Sequence, residues 1–122
     1  MVLSFKQSIN VSRDKMLKIH FFIKCIDRNI YPTEAELDIL CYLHNIGGIK
    51  GKEQNRAFIN DCITRKFMKH SHSVGNVLSK YTDLGFIRKV KNCEKYIHED
   101  ILPIIKDDVF VLQYLMTNIE IK

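Results

Sequence analysis

The stretch SHSVGNVLSKYTDLGFIRKV, residues 71–90, combines an amphipathic helix, a helix stop and a basic strand. Its apolar residues recur every three or four positions, as on one helix face, and we expect them to be buried: Val74, Val77, Leu78, Tyr81 and Leu84. Gly85 follows and is the residue type that most often ends a helix. FIRKVK, residues 86–91, alternates as a strand does, and KYIH, residues 95–98, can pair with it. The stretch therefore predicts a helix followed by a β-hairpin.

Two helices are predicted between Pro32 and this stretch. Thr33 and Glu36 have the spacing of a capping box, and the helix that they begin is apolar nearly all round, which predicts that it is mostly buried. The glycine pair at 47–48 ends it. After a polar loop at 49–55, a helix over about 56–68 is predicted to bury four residues: Ile59, Cys62, Ile63 and Phe67.

The two ends of the chain predict strands. Residues 2–11 alternate between apolar and polar, which indicates a half-buried strand. A helix capped by Ser12 follows and ends before Pro32. Its predicted inward face consists of Met16, Ile19, Ile23, Ile26 and Ile30, widened by Phe21 and Phe22. Residues 109–121 are apolar on both faces and predict a strand covered on both sides, with a helix as the alternative.

Two short helices, a tight turn and a basic hairpin resemble the winged helix-turn-helix superfamily, of which the MarR-like regulators are one branch. TEAELDILCYLH resembles their helix before the DNA-reading unit, and SVGNVLSKYTDLGFIRKV resembles their recognition helix and the start of their wing. The expected fold class is therefore α+β: a winged helix-turn-helix with added N- and C-terminal β-strands. The expected organisation is one domain over 1–122, with the core at 32–98 between a strand and helix at 1–31 and an extension at 99–122.

A second resemblance covers nearly the whole chain. The segments SFKQ, PTEAELDIL, SVGNVLSKYTDLGFI and ILPII, in this order, resemble small proteins of tailed phages of Bacteroides-type bacteria, including the crAss-like phages. The resemblance implies a phage origin and a role in virion assembly. We therefore expect a non-enzymatic virion protein, a small subunit of a ring at the portal or the head-tail connector. The alternative is a winged-helix transcriptional regulator that binds DNA.

Composition is consistent with both expectations. The net charge of +5 and the pI near 9.0 permit a polyanionic partner without requiring one. No apolar run approaches the roughly 20 residues that span a bilayer, so no membrane partner is expected. The N-terminus lacks the pattern of a signal peptide. The expected location is the virion, assembled in the host cytoplasm, and the expected partners are portal or connector subunits and further copies of this chain.

The candidate binding residues form two groups, for nucleic acid or for a protein partner. The outer face of the predicted recognition helix is small and polar, so it permits close approach to DNA or protein, or it is simply a solvent-facing surface. The helix has no arginine, the side chain that most often reads guanine, and Lys80 is its only basic residue. Basic residues before the helix and in the hairpin suit phosphates without reading sequence. The candidates are Lys69, Ser71, His72, Gly75, Asn76, Ser79, Lys80, Arg88, Lys89, Lys91 and Lys95.

No catalytic, cofactor or metal site is predicted. The chain has no phosphate-binding Gly-Lys-Ser/Thr loop, no nucleophile elbow and no His-Glu-x-x-His motif. Cys41 and His44 lie one helical turn apart, and Cys93 precedes His98, but neither pair forms a zinc signature. We expect the cysteines to be reduced core residues, and His70 and His72 to be polar turn residues.

Overall fold

The computed structural model describes residues 2–4, 13–91, 94–106 and 109–113. Four helices are found in these ranges: α1 (Arg13–Asp27), α2 (Glu34–Asn45), α3 (Lys52–Thr64) and α4 (Ser71–Asp83). The strands are β1 (Val2–Ser4), β2 (Ile49–Lys50), β3 (Ile87–Lys89), β4 (Glu94–Ile97), β5 (Ile104–Lys106) and β6 (Val109–Gln113), with a short 3-10 turn at Glu99–Ile101. The predicted α+β class is confirmed. Within the described ranges, no helix is both long and apolar enough to cross a bilayer.

The chain divides into two compact units, Thr33–Ile101 and the combination of Met1–Pro32 with Leu102–Lys122. The middle unit nearly coincides with the predicted core at 32–98. The assignment of all 122 residues to one domain stays a prediction.

The middle unit packs three helices against a small antiparallel sheet. The strand order is β2–β4–β3, with Ile49 opposite Lys95 and Ile87 opposite Ile97. The element order α2–β2–α3–α4–β3–β4 and this pairing are compatible with a winged-helix-like arrangement. The core draws on every element: Leu37, Ile39, Leu40, Cys41, Leu43, Ile49, Phe58, Cys62, Val74, Val77, Leu78, Tyr81, Phe86, Ile87, Ile97 and Ile101.

Local signals set the helix ends of this unit. The Thr33 hydroxyl accepts from the Glu36 backbone N–H, and the Glu36 carboxylate accepts from the Thr33 backbone N–H, so the predicted capping box is confirmed. Gly47, Gly48 and Gly85 have φ values of 77°, 99° and 83°, as the predicted stops of α2 and α4 require.

Three sequence expectations about helices are wrong. Helix α3 begins at Lys52, inside the expected polar loop, and ends at Thr64. Its buried residues are Phe58 and Cys62, whereas Ile59, Ile63 and Phe67 are only partly buried. Leu84 is the C-cap residue of α4 and is 37% exposed, whereas Phe86, which follows the left-handed Gly85, is fully buried.

Helix α1 buries a different face from the one expected. Its buried residues are Met16, Leu17, His20, Phe21 and Cys25. Ile19 and Phe22 are exposed, and Ile23, Ile26 and Ile30 are partly buried. The helix carries apolar residues on nearly all sides, so spacing alone did not distinguish the two faces.

The terminal unit contains a second three-stranded antiparallel sheet. Its strand order is β1–β6–β5, with Leu3 opposite Leu112 and Ile105 opposite Phe110. Of the strand expected over 109–121, residues 109–113 form a strand and not a helix, and this strand pairs with the N-terminal one. The Ser12 cap, the rest of the expected strand at 5–11, the turn at 92–93 with Cys93, and residues 114–121 lie outside the described residues.

Candidate nucleic-acid or partner interface

Helix α4 buries one face and exposes the opposite one. Val74, Val77, Leu78 and Tyr81 are buried as predicted. The candidate residues His72, Asn76 and Ser79 are exposed on the opposite face, Gly75 between them is partly exposed, and Ser71 is exposed at the start of the helix. The structure thus brings these candidates together as a surface of short, uncharged side chains and one imidazole.

Gly75 has no packing reason to be glycine. A Cβ added to Gly75 meets no heavy atom within 4 Å, and its φ is not positive. Glycine in a helix interior costs about 1 kcal/mol relative to alanine. The fold therefore tolerates a larger residue at position 75. Because Gly75 has no side chain, another surface can approach the backbone of α4 closely at this point.

Lys80 points toward α2. Its ammonium lies 2.9 Å from the Glu36 carboxylate, and the Tyr81 hydroxyl donates to the same carboxylate at 2.9 Å. Glu36 is 7% exposed. Burial raises the pKa of Glu36, but hydrogen bonds from Lys80, the Thr33 backbone and Tyr81 outweigh it and hold the pKa below its usual value of 4.5. The single basic side chain of α4 is thus paired with α2, although 46% of it stays exposed to solvent.

The hairpin formed by β3 and β4 divides its cations between paired and exposed positions. Arg88 pairs with the Glu99 carboxylate at 3.2 Å, in a largely solvent-exposed bridge. Lys95 donates to the Asn55 side-chain oxygen at 2.7 Å. Lys89 and Lys91 are exposed, and no carboxylate among the described residues lies within ion-pair distance of either.

The turn before α4 is basic and rich in histidine. Lys69 is exposed, and no ion pair to it occurs within the described ranges. His70 is the N-cap residue of α4 and makes no side-chain capping bond. The rings of His70 and His72 stack with centroids 5.5 Å apart and an interplanar angle of 15°. The two imidazole rings therefore lie against each other at the start of α4.

The cysteines and histidines do not assemble a metal centre in the described part of the chain. No group of three or more His, Cys, Asp or Glu side chains there could hold a metal ion. Cys25, Cys41 and Cys62 are buried free thiols. Burial, reinforced by Asp61, raises the pKa of Cys62 to about 12, so this thiol is neutral at physiological pH.

Sequence reasoning missed two features of this surface. Glu36 was interpreted only as a helix cap, and nothing local indicates that it also binds α4, because 44 residues separate it from Lys80. Lys52 and Arg56 were assigned to a loop and the start of the next helix, although both are exposed on α3. Their separation by four residues is the signal that would have placed them on one helix face.

Comparisons of the chain with protein-family models, with curated proteins and with solved structures give no match.

Proposed function

We propose that this protein is a non-enzymatic structural subunit of a tailed-phage particle. It occupies a ring at the portal or at the head-tail connector, and a winged helix-turn-helix serves there as a packing module. Its partners are portal or connector subunits and further copies of itself, and assembly takes place in the host cytoplasm.

The engagement of Lys80 by Glu36 carries this proposal. A helix that reads DNA presents basic and amide side chains to base edges, with arginine or lysine on guanine as the commonest specific contact. On α4 the only basic side chain is bonded to the carboxylate of α2 at 2.9 Å. The rest of the exposed face carries short, uncharged side chains together with His72 and the carboxylate of Asp83, which suits close approach to another protein surface better than to DNA phosphates.

The terminal sheet supports a role in assembly. Among the described strands, β1 and β5 are the edges of the order β1–β6–β5, and each pairs there with β6 alone. An edge strand offers unpaired backbone groups to which another chain can add a strand. The phage context itself comes from the sequence resemblance of four segments spread along the chain.

Mass spectrometry of purified particles tests the proposal. We expect this protein in a fixed ratio to the portal protein after density-gradient purification and a high-salt wash. A nonstructural protein of the same phage, followed through the same gradient, controls for carry-over. Absence from washed particles, with abundant protein in the infected cell, would contradict the structural role.

A DNA-binding regulator is the second candidate, favoured by the strand order β2–β4–β3 beside the helix pair and by the exposed lysines of the hairpin. If the hairpin contacts phosphates, replacing Arg88, Lys89 and Lys91 with Ala will weaken binding to every sequence and flatten its salt dependence. If α4 reads bases, Asn76→Ala will remove preference for one site and retain nonspecific binding. Tight, sequence-selective binding by the isolated wild-type protein would put the regulator first.

A further inference from the structure

A group of ring contacts joins α2 to the second half of α3. The Tyr42 ring stacks on the buried Phe58 ring, with centroids 5.3 Å apart and an interplanar angle of 15°. Phe67 meets the same tyrosine ring edge-on, at 6.3 Å. The Arg65 guanidinium carbon lies over the tyrosine ring, 4.3 Å from its centroid. A cation is therefore held against an aromatic ring at the end of α3, where it gains from the electrostatics of the ring face.

The Tyr42 hydroxyl fixes the orientation of this ring. It donates to the Asp61 carboxylate at 2.8 Å. Burial and the Asp61 carboxylate raise the pKa of Tyr42, so the hydroxyl keeps its proton at neutral pH. The tyrosine thus bonds Asp61 and carries Arg65 over its ring. Because the guanidinium is positioned before a partner arrives, less side-chain freedom is lost when it binds.

Arg65 and its neighbour Lys66 present positive charge to solvent. Arg65 is exposed, and no ion pair to it occurs within the described ranges. Its planar fork of five N–H donors matches the geometry of a carboxylate. Lys66 is also exposed and has a φ of 63°, the left-handed conformation in which a helix end usually has glycine. Two cations therefore lie at a point where the backbone by itself favours glycine at the second position.

Apolar surface adjoins these cations. Ile46 is 45% exposed and follows Tyr42 by one helical turn, with its backbone N–H bonded to the Tyr42 carbonyl at 3.1 Å. The Tyr42 and Phe67 side chains are half-buried. Tyrosine and arginine are enriched among the energetically dominant residues of protein interfaces, and apolar neighbours exclude water from them. This composition fits an acidic protein surface, and we call Tyr42, Ile46, Arg65, Lys66 and Phe67 the stacked patch.

The short turn after β4 carries the opposite charge. Within the described ranges, Glu99 and Asp100 are the one place where two exposed acidic residues adjoin. The Asp100 side chain is 74% exposed, and His98 approaches it at 3.7 Å. The Glu99 side chain is 58% exposed and shares a solvent-exposed bridge with Arg88. We call Glu99 and Asp100 the acidic turn, and its carboxylate oxygens are accessible to another molecule.

We propose that the stacked patch of one copy binds the acidic turn of a second copy, with the Arg65 guanidinium on the Asp100 carboxylate. A contact of the patch with the same patch on another copy would bring like charges together, which disfavours a two-fold dimer. A contact between two different surfaces is head-to-tail, and such contacts give a closed ring when the rotation between copies closes. The inference rests on the proposed function for the ring alone, and it deepens that function by naming the contact between copies.

Sedimentation velocity of the purified protein, from about 1 µM to about 1 mM, measures self-association. We expect the wild type to associate as its concentration rises, and R65E and D100K each to weaken association by about 10- to 100-fold, as loss of a hydrogen bond between charged groups requires. The double variant R65E/D100K restores opposite charges and should associate at least about tenfold more tightly than either single variant.

Two control variants make the same charge changes elsewhere. Arg56 is exposed and lies about two and a half helical turns before Arg65, on the opposite side of α3, so R56E should associate as the wild type does. Asp83 is an exposed acid at the end of α4, and D83K should also leave association unchanged. Circular dichroism melts check that each variant is folded. D100K changes an exposed turn and provides the measurement if R65E does not fold.

Four outcomes overturn the inference: a wild-type protein that stays monomeric throughout, wild-type association in R65E or D100K, an equal loss in the controls, or no recovery in the double variant. Wild-type association in D100K, together with loss of binding to a DNA duplex in R65E, would overturn it in favour of a nucleic-acid partner. Particle incorporation is measured in parallel. Failure of self-association while washed particles contain the wild-type protein refutes this inference alone, whereas absence of the wild type from particles refutes the proposed function.

Discussion

Replacing Glu36 with Ala should destabilise the middle unit, because the carboxylate joins the start of α2 to the end of α4. It accepts hydrogen bonds from the Thr33 backbone, the Lys80 ammonium and the Tyr81 hydroxyl, at 3.1, 2.9 and 2.9 Å. The substitution removes all three bonds and leaves the helices otherwise unchanged in sequence.

The three bonds contribute unequally to the free energy of unfolding. Tyr81 is fully buried, and removing an acceptor from a buried hydroxyl costs about 1–3 kcal/mol. The capping bond to Thr33 contributes about 0.5–1 kcal/mol. The Lys80 side chain is 46% exposed, so solvent screening limits its ion pair to about 0.2–1 kcal/mol. The expected total is about 2–5 kcal/mol.

Urea unfolding followed by far-ultraviolet circular dichroism measures this change. Glu53→Ala is the matched control: Glu53 is an exposed glutamate in the first turn of α3, and its replacement should cost less than about 1 kcal/mol. A loss below about 1 kcal/mol for Glu36→Ala, equal to that of the control, would refute the reasoning.

The lowered pKa of Glu36 also predicts how the stability of the protein changes at acid pH. Because the folded pKa of Glu36 lies below its usual 4.5, its ionisation contributes stability that is fully present above that value and is lost as pH falls through the folded pKa. Glu36→Gln should therefore show a smaller loss of stability below about pH 4.5 than the wild type. Parallel curves for the two proteins would contradict the assigned pKa direction.

The remaining predictions concern the core, a turn and the N-terminus. Leu78→Ala should lower the free energy of unfolding by about 2–5 kcal/mol, because it removes buried apolar surface and leaves a cavity. The variant Ser79→Ala, at an exposed neighbouring position, should melt as the wild type does. Equal melting curves for the two variants would mean that the buried face of α4 is wrongly assigned. Gly48→Ala should destabilise the protein more than Gly47→Ala in urea unfolding. Both positions have positive φ, but only at Gly48 would an added Cβ approach a β4 carbonyl oxygen, at 2.8 Å. Equal losses of stability in the two variants would contradict the steric argument. Deleting residues 1–10 removes β1. The middle unit should still fold, but the protein should no longer be incorporated into particles. Normal incorporation into purified particles would contradict the role of the terminal strands in assembly.

Much of the middle unit could be predicted because its signals are local. The capping box of Thr33 and Glu36 joins groups three residues apart, so the sequence alone fixes where α2 begins. The four buried residues of α4 were predicted because that helix is apolar on one side only, and the hairpin because both strands and the turn between them are close in sequence. Such features depend on backbone geometry that neighbouring residues determine.

Local signals were insufficient where two faces are equally apolar or where a helix lacks a capping side chain. In α1, Ile19 and Phe22 are three residues apart and Leu17 and Phe21 are four apart; both spacings fit one helix face, and only packing determines which pair is buried. Helix α3 follows Gly51, which makes no side-chain capping bond, so the polar residues from Lys52 onward had the composition of a loop.

The candidate surface depended most on tertiary structure. The sequence determined how many cations lie near α4 and the hairpin, but not which of them remain exposed. Glu36 and Lys80 meet across 44 residues, and β-sheet register places Lys89 opposite Lys95. Charge interactions depend on distance in space and on burial, and both are set by the packing of elements remote in sequence. The sequence by itself therefore determined most of the elements and their polarity, whereas only the folded chain decided that Lys80 of α4 pairs with Glu36 and that Lys89 lies opposite Lys95.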